Sequence, residues 1–211
     1  MLGIIRVLTT DDPMVFESHG KIIERLYRIP VKSYCIPDQP YGIHDDATEE
    51  AAIPKIVALA KQIEAEGAQA ILISCAADPA VEQARSAVSI PVLGAGTCAA
   101  AAALALGRRV GVLNLTGHTP ASPAAVLGER QVRDIAPAGV DNTTELMTAA
   151  GEAAAVKALQ ELAAECDVIM LACTGFSTIR FAEKMRSHVR IPLVDAVEAG
   201  GAMAQLVLRN L

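Results

Sequence analysis

Two short apolar runs lead into a cysteine, Ala70 to Ile73 before Cys75 and Val168 to Leu171 before Cys173, and the two thiols stand 98 residues apart. Other landmarks keep nearly the same spacing: Gly42 and Gly139 are 97 apart, Pro40 and Pro137 are 97 apart, and Pro91 and Pro192 are 101 apart. The loop P-Y-G-I-H-D from Pro40 is echoed by P-A-G-V-D-N from Pro137, and S-I-P-V-L-G-A by R-I-P-L-V-D-A. A period this long exceeds any solenoid unit, so the chain reads as two copies of one lobe rather than as a repeat array.

Within each copy, strand and helix patterns alternate. Gly3 to Leu8 reads as a first strand closing at Thr9, Thr10, Asp11 and Asp12, and Pro13 opens a helix that carries Val15, Ile22, Ile23 and Leu26 inward. A strand from Val31 to Ile36 follows, then a Pro/Gly-rich loop and a helix from about Ala47 to Glu66, which Gly67 terminates. The Cys75 strand, a helix through Ser86, the strand of IPVLGAG and an alanine-rich helix to Leu106 complete the first copy. The second repeats the order: a strand from Arg109 to Leu115 ending at Thr116 and Gly117, a helix from near Pro120, a strand from Gln131 to Ile135, and a helix from about Thr144 to Ala164. The Cys173 strand, a helix through Arg186, the strand of IPLVDA and a last helix through Leu208 close it.

Runs that are apolar on both faces suit central parallel strands covered by helices. The expected fold is therefore α/β: two pseudo-symmetric lobes, each a mainly parallel sheet flanked by helices, with the active site in the cleft between them. The helices after IPVLGAG and IPLVDA are expected to pack across the boundary. That assigns residues 1–95 plus about 196–211 to the first lobe and 96–195 to the second.

A thiol between a strand's carboxyl end and a helix N-terminus sits where open α/β sheets bind ligands, and the amide dipoles there favour a thiolate. Asp78 and Pro79 read as the N-cap and first residue of the helix after Cys75, and Ser177 as a possible cap after Cys173. Two such lobes, face to face, would bring the two cysteines to opposite sides of one ligand. Inverting a carbon stereocentre needs a base on one face and an acid on the other, and a thiolate and a thiol can exchange those roles. No cofactor is needed if a carbonyl activates the carbon. Backbone N–H groups after each cysteine, with Thr174, would stabilise the enolate. A lone cysteine is more commonly a small buried hydrophobe, which is the reading for Cys35, Cys98 and Cys166. Gly94 and Gly96 are weak evidence for a phosphate loop. His44, His118 and Tyr41 lie in loops at predicted strand ends, where they either border the cleft or are simply solvated.

Composition removes other classes. The net charge is −6, with 18 basic and 24 acidic residues and no Lys/Arg stripe, so nucleic acid is not an expected partner. Apolar stretches are too short for a bilayer span and the N-terminus lacks a leader pattern, so neither a membrane nor export is expected and the protein is placed in the cytoplasm. Five cysteines without an export signal are read as reduced thiols, and no Cys/His spacing suits a metal.

The segments ILISCAADPAVEQAR, IPVLGAG, RRVGVLNLT and VIMLACTGFSTI with IPLVDA resemble the aspartate/glutamate/hydantoin racemase superfamily, most nearly its hydantoin racemase-like branch. The resemblance covers essentially the whole chain. It implies two pseudo-symmetric lobes with one catalytic cysteine each, Cys75 and Cys173, acting without a cofactor or metal on a small molecule, in a homo-oligomer. It also implies that Thr9, Thr10, Thr116 and Gly117 line the cleft at strand ends, and that Ala76, Ala77, Thr174 and Gly175 contact the substrate. The amino-acid racemases of the superfamily usually carry Asn-Thr after the first cysteine and Thr-Glu after the second; Ala76-Ala77 and Thr174-Gly175 here suit an uncharged ring such as a 5-substituted hydantoin better than free aspartate or glutamate. A decarboxylase or maleate isomerase of the same scaffold, and a non-catalytic small-molecule binding protein, are the rival readings.

Overall fold

A computed structural model describes residues 1–210. The first half runs β1 (Leu2–Arg6), α1 (Pro13–Phe16), α2 (Ser18–Tyr27), β2 (Val31–Cys35), α3 (Asp46–Ala65), β3 (Ala70–Ser74), α4 (Val81–Ala87), β4 (Val92–Gly94) and α5 (Ala95–Leu106). The second runs β5 (Val110–Leu113), α6 (Ala121–Leu127), β6 (Gln131–Ile135), α7 (Thr143–Leu146), α8 (Ala149–Ala163), β7 (Val168–Leu171), α9 (Gly175–Thr178), α10 (Phe181–Met185), β8 (Leu193–Asp195) and α11 (Ala196–Leu208). Each half forms a four-stranded parallel sheet, in the orders β2-β1-β3-β4 and β6-β5-β7-β8. The duplication reaches single residues: Gly42 and Gly139 both take positive φ, 69° and 72°, and so do Ala80 and Arg180, at 57° and 56°.

The central strands β1, β3, β5 and β7 are buried along their whole lengths, as apolar runs covered on both faces must be. One face of each sheet has its own core, beneath α3 and α4 in the first half and beneath α8, α9 and α10 in the second. The other faces share a single core, in which Leu2, Ile4 and Leu72 meet Val110, Val168 and Met170 through the small residues of α5 and α11. Helix α5 packs on β7 and α6, and α11 packs on β3 and α2, so each last helix lies against the opposite sheet. Small side chains permit that approach: a Cβ on Gly200 would press on Leu72, and one on Gly201 on the Tyr27 ring.

Four expectations about elements are corrected. The helix from Pro13 is two helices broken at Glu17, and while Ile22 and Ile23 are buried, Leu26 is 44% exposed. The helix expected from about Thr144 to Ala164 is broken at Met147 and Thr148. The Thr148 hydroxyl accepts from Gly151 N–H and starts α8 afresh, and a side chain at Gly151 would strike the Glu145 carbonyl. Asp78 does not cap the helix that follows it; Ala80, in the left-handed region, precedes α4 instead. The Asp78 carboxylate caps α5, accepting from Gly96 N–H at 2.7 Å and Thr97 N–H at 2.6 Å. Ser177 likewise lies inside α9 rather than capping it, and its hydroxyl donates to Asp195 at 2.8 Å.

Candidate active site

Parallel strands deliver their carboxyl ends to one edge of each sheet, and the loops after β3 and β7 carry Cys75 and Cys173 into a single cleft of about 600 Å³ between the sheets. Both thiols are partly buried. Their immediate surroundings repeat. The Ala77 amide lies near the Cys75 sulfur and lowers its pKa, and Gly175 N–H donates to Cys173 Sγ at 3.3 Å. Both amides favour the ionised sulfur, and the Gly175 N–H points at it directly. They stabilise a thiolate in the cysteine that holds them.

The expected lowering of the thiol pKa is overturned. Burial pushes Cys75 up to about 12, the nearby Ala77 amide opposing it and the charges of Cys173, Asp78 and Glu49 adding to it. Burial also raises Cys173, against the amides of Gly175 and Phe176 and the Thr143 hydroxyl 3.9 Å away. No long helix starts at either thiol: α4 begins only at Val81, and α9 is four residues long. Desolvation is thus opposed by nearby amides and, at Cys173, the Thr143 hydroxyl, rather than by a helix dipole.

Of the residues singled out in the sequence, Ala76, Ala77, Thr116, Thr174 and Gly175 line the cleft with the two cysteines, as do Tyr41, His44 and His118. Thr9, Thr10 and Gly117 are not among the lining residues. The Thr9 hydroxyl is consumed locally, donating to Ile36 O at 2.7 Å and accepting from Gln39 N–H at 2.7 Å, so it ties β1 to the loop after β2. Thr10 accepts from Asp12 N–H at the start of α1. Cys98 and Cys166 are buried; Cys35, read as a core residue, is only partly so.

Several residues of the site carry no local sequence signal. Arg6 lies beside Ser74 in the β1–β3 register, is 2% exposed and lines the cleft, with Nη1 donating to the α1 carbonyls of Val15 and Phe16. Asn114, one residue beyond β5, occupies the corresponding place in the second half and is fully buried. His19 is 1% exposed and stands behind both cysteine loops. Six acidic residues, Asp45, Asp46, Glu49, Asp78, Glu82 and Asp141, line the cleft with two arginines, Arg6 and Arg85; the Asp45 and Asp78 carboxylates cap α3 and α5, and Glu82 pairs with Arg85. Among the described residues no three His, Cys, Asp or Glu side chains cluster as metal ligands, and no helix is long and apolar enough to cross a membrane.

A doubled parallel α/β scaffold with a cleft between its halves is the architecture of racemases. The chain belongs to the Asp/Glu/Hydantoin racemase family, whose model matches residues 27–204. It is 28% identical over 178 residues to the hydantoin racemase of Rhizobium meliloti, across 81% of this chain and 73% of that one. The fold is similar to that of allantoin racemase from Klebsiella pneumoniae, with a TM-score of 0.87 at 18% identity over 99% of this chain and 87% of that chain. It is similar as well to Nocardia farcinica maleate cis-trans isomerase, with a TM-score of 0.74 at 16% identity over 99% and 92% of the two chains. The protein is an isomerase of the racemase type.

Proposed function

We propose that this racemase uses Cys75 and Cys173 as a two-base pair, without a cofactor, to invert the α-carbon of a 5-substituted hydantoin or a related amino-acid derivative. The observation that carries this reading is that thiols at corresponding positions of two similar halves open onto one cleft. In the forward direction a thiolate removes the C5 proton, the C4 carbonyl takes up the charge as an enolate, and the opposite thiol returns a proton to the other face. The sulfurs end with their roles exchanged. Burial raises both thiols; at Cys173 the Gly175 and Phe176 amides and the Thr143 hydroxyl oppose it, and at Cys75 the Ala77 amide does.

The substrate class follows from charge and size. An acidic lining, with Asp46, Glu49 and Asp141 not used as caps, disfavours the added carboxylates of free aspartate or glutamate, whereas a neutral ring enters without that cost. At about 600 Å³ the cleft leaves room for a large ring substituent, toward which Tyr41, Ile43, Ile53 and Met147 offer apolar surface. A decarboxylase on this scaffold would need a single protonating thiol, so two at matched positions favour racemisation. The lobes are read as residues 1–95 with 196–211, and 96–195; Leu211 lies outside the described residues.

An optically pure 5-substituted hydantoin incubated in D₂O is expected to gain deuterium at C5 as optical rotation decays. Cys75→Ser and Cys173→Ser are each expected to cut racemisation by at least about 10³-fold, while exchange without inversion persists for one enantiomer. Normal racemisation by both variants would sink the two-thiol assignment.

A further inference from the structure

We infer that His19, through a closed ring of hydrogen bonds with Ser74, Thr174 and Thr178, is the positioning residue that sets the separation of the two cysteine loops. This inference rests on the two-thiol reading above. His19 lies in the first turn of α2, in the first half of the chain, yet it touches both halves: Nδ1 is 2.8 Å from Ser74 Oγ and Nε2 is 3.0 Å from Thr178 Oγ1. Ser74 immediately precedes Cys75, and Thr178 ends the short helix that follows Cys173.

The directions of the bonds are determined by their neighbours. The Thr178 hydroxyl donates to Thr174 O at 3.4 Å, so it accepts from His19 Nε2–H. That leaves Nδ1 unprotonated, as the acceptor of the Ser74 hydroxyl. The Thr174 hydroxyl then donates back to Ser74 O at 3.2 Å, which closes the ring. Four side chains thus join the residue before one cysteine to the residue after the other, with every hydrogen used once. A protonated imidazole would donate at both nitrogens and turn the Ser74 hydroxyl round to accept. The groups facing His19 oppose protonation: burial and the nearby Arg6 charge both lower its pKa well below the usual histidine value, outweighing the Thr174 carbonyl.

The rest of α2 acts in the same sense. Arg25 pairs with Glu183 of α10 at 3.0 Å, and the Tyr27 hydroxyl donates to Glu198 O at 2.8 Å. Gly20, next to His19, lets the helix settle on β2, where a Cβ would meet Ser33 Oγ at 2.9 Å. A helix held at both ends, with a rigid aromatic ring as its only hydrogen-bonding contact to both cysteine loops, suits a spacer. In a two-base reaction spacing is decisive: one thiol can exchange a proton on its own face, but inversion requires both within reach of the same carbon.

The test uses two variants and two readouts. His19→Asn keeps a group at the Nδ1 position for Ser74 and gives up Thr178, while Thr178→Val removes the partner on the other side with little change of shape. Racemisation is expected to fall on the order of 100-fold in each, as for a misplacement of about an ångström, whereas C5 exchange with retention falls far less. The ratio of exchange to inversion therefore rises, which a general loss of stability does not produce. The second readout needs no substrate: a bis-bromomethyl reagent whose two carbons each lose bromide to a thiolate, with the Cys75–Cys173 bridge identified by peptide mass spectrometry. Bridging is expected in the parent protein and is expected to slow at least about tenfold in both variants. Folded variants that bridge at the parent rate, or lose exchange and inversion in equal proportion, overturn the spacer role. A parent that bridges but leaves hydantoins untouched overturns the substrate reading and leaves the spacer to be judged on bridging alone. A parent that does not bridge overturns both.

Discussion

At the scale of single residues, the proposed chemistry turns on thiols that resist ionisation. Cys75 is pushed up to about 12 by burial and Cys173 is raised by the same cause, so in the free protein at neutral pH both carry their protons. The proposed two-thiol reaction begins from the minor form with one thiolate, and a group with a raised pKa yields more of that form as pH increases. Log kcat/KM is therefore expected to climb with a slope near one, about tenfold per pH unit, from neutrality to at least the ordinary thiol value of 9.0. A plateau at neutral pH in a pH–rate measurement would contradict this. The residue pattern around Cys75 and Cys173 was legible because the repeat marked it twice. His19 was not legible, since nothing within ten residues of a lone histidine says that a partner 159 residues away lies 3.0 Å from its ring. The expectation of low thiol pKa values failed because strand-end position alone does not say how much water the folded cleft excludes.

At the scale of elements, the two halves solve one problem by different means. The last helix of each half starts under a carboxylate, but in the second half it belongs to Asp195, whose carboxylate accepts from Val197 and Glu198 N–H. In the first half the corresponding position is Gly94, and the carboxylate comes from Asp78 on the cysteine loop. The glycine is required there, because a Cβ on Gly94 would overlap the Asp78 carboxylate, and one on Gly96 the Ala76 carbonyl. In the first half the cap thus ties the Cys75 loop to α5. Asp78→Ala is expected to cost about 1–2 kcal/mol as a lost cap, and Gly94→Ala about 1–3 kcal/mol by overpacking. Both changes should also depress racemisation, since they displace the Cys75 loop. Denaturant midpoints set against activity check this, and a stable, fully active Gly94→Ala protein would refute it. Element existence was readable from periodicity, but the breaks at Glu17 and Met147 were not. They depend on which cap or close contact wins locally, as at Thr148 and Gly151.

At the scale of the whole molecule, the two halves are not independent bodies joined by a linker. Their shared core places α5 against β7 and α11 against β3, so removing one half strips apolar cover from the sheet of the other. Thermal unfolding is expected to show one transition, with calorimetric and van't Hoff enthalpies in agreement, rather than one per lobe. Two resolved calorimetric peaks would count against it.

The order of strands and helices, the duplication, and the identity of the paired thiols follow from the sequence itself, because periodicity, glycine and proline landmarks, and repeat spacing are local or directly countable. What surrounds those thiols was settled only by the tertiary structure. Which carboxylate caps α5, how strongly burial opposes ionisation, and which histidine spans the halves all depend on contacts between residues far apart in the chain, where desolvation and packing rather than sequence neighbours set the energies.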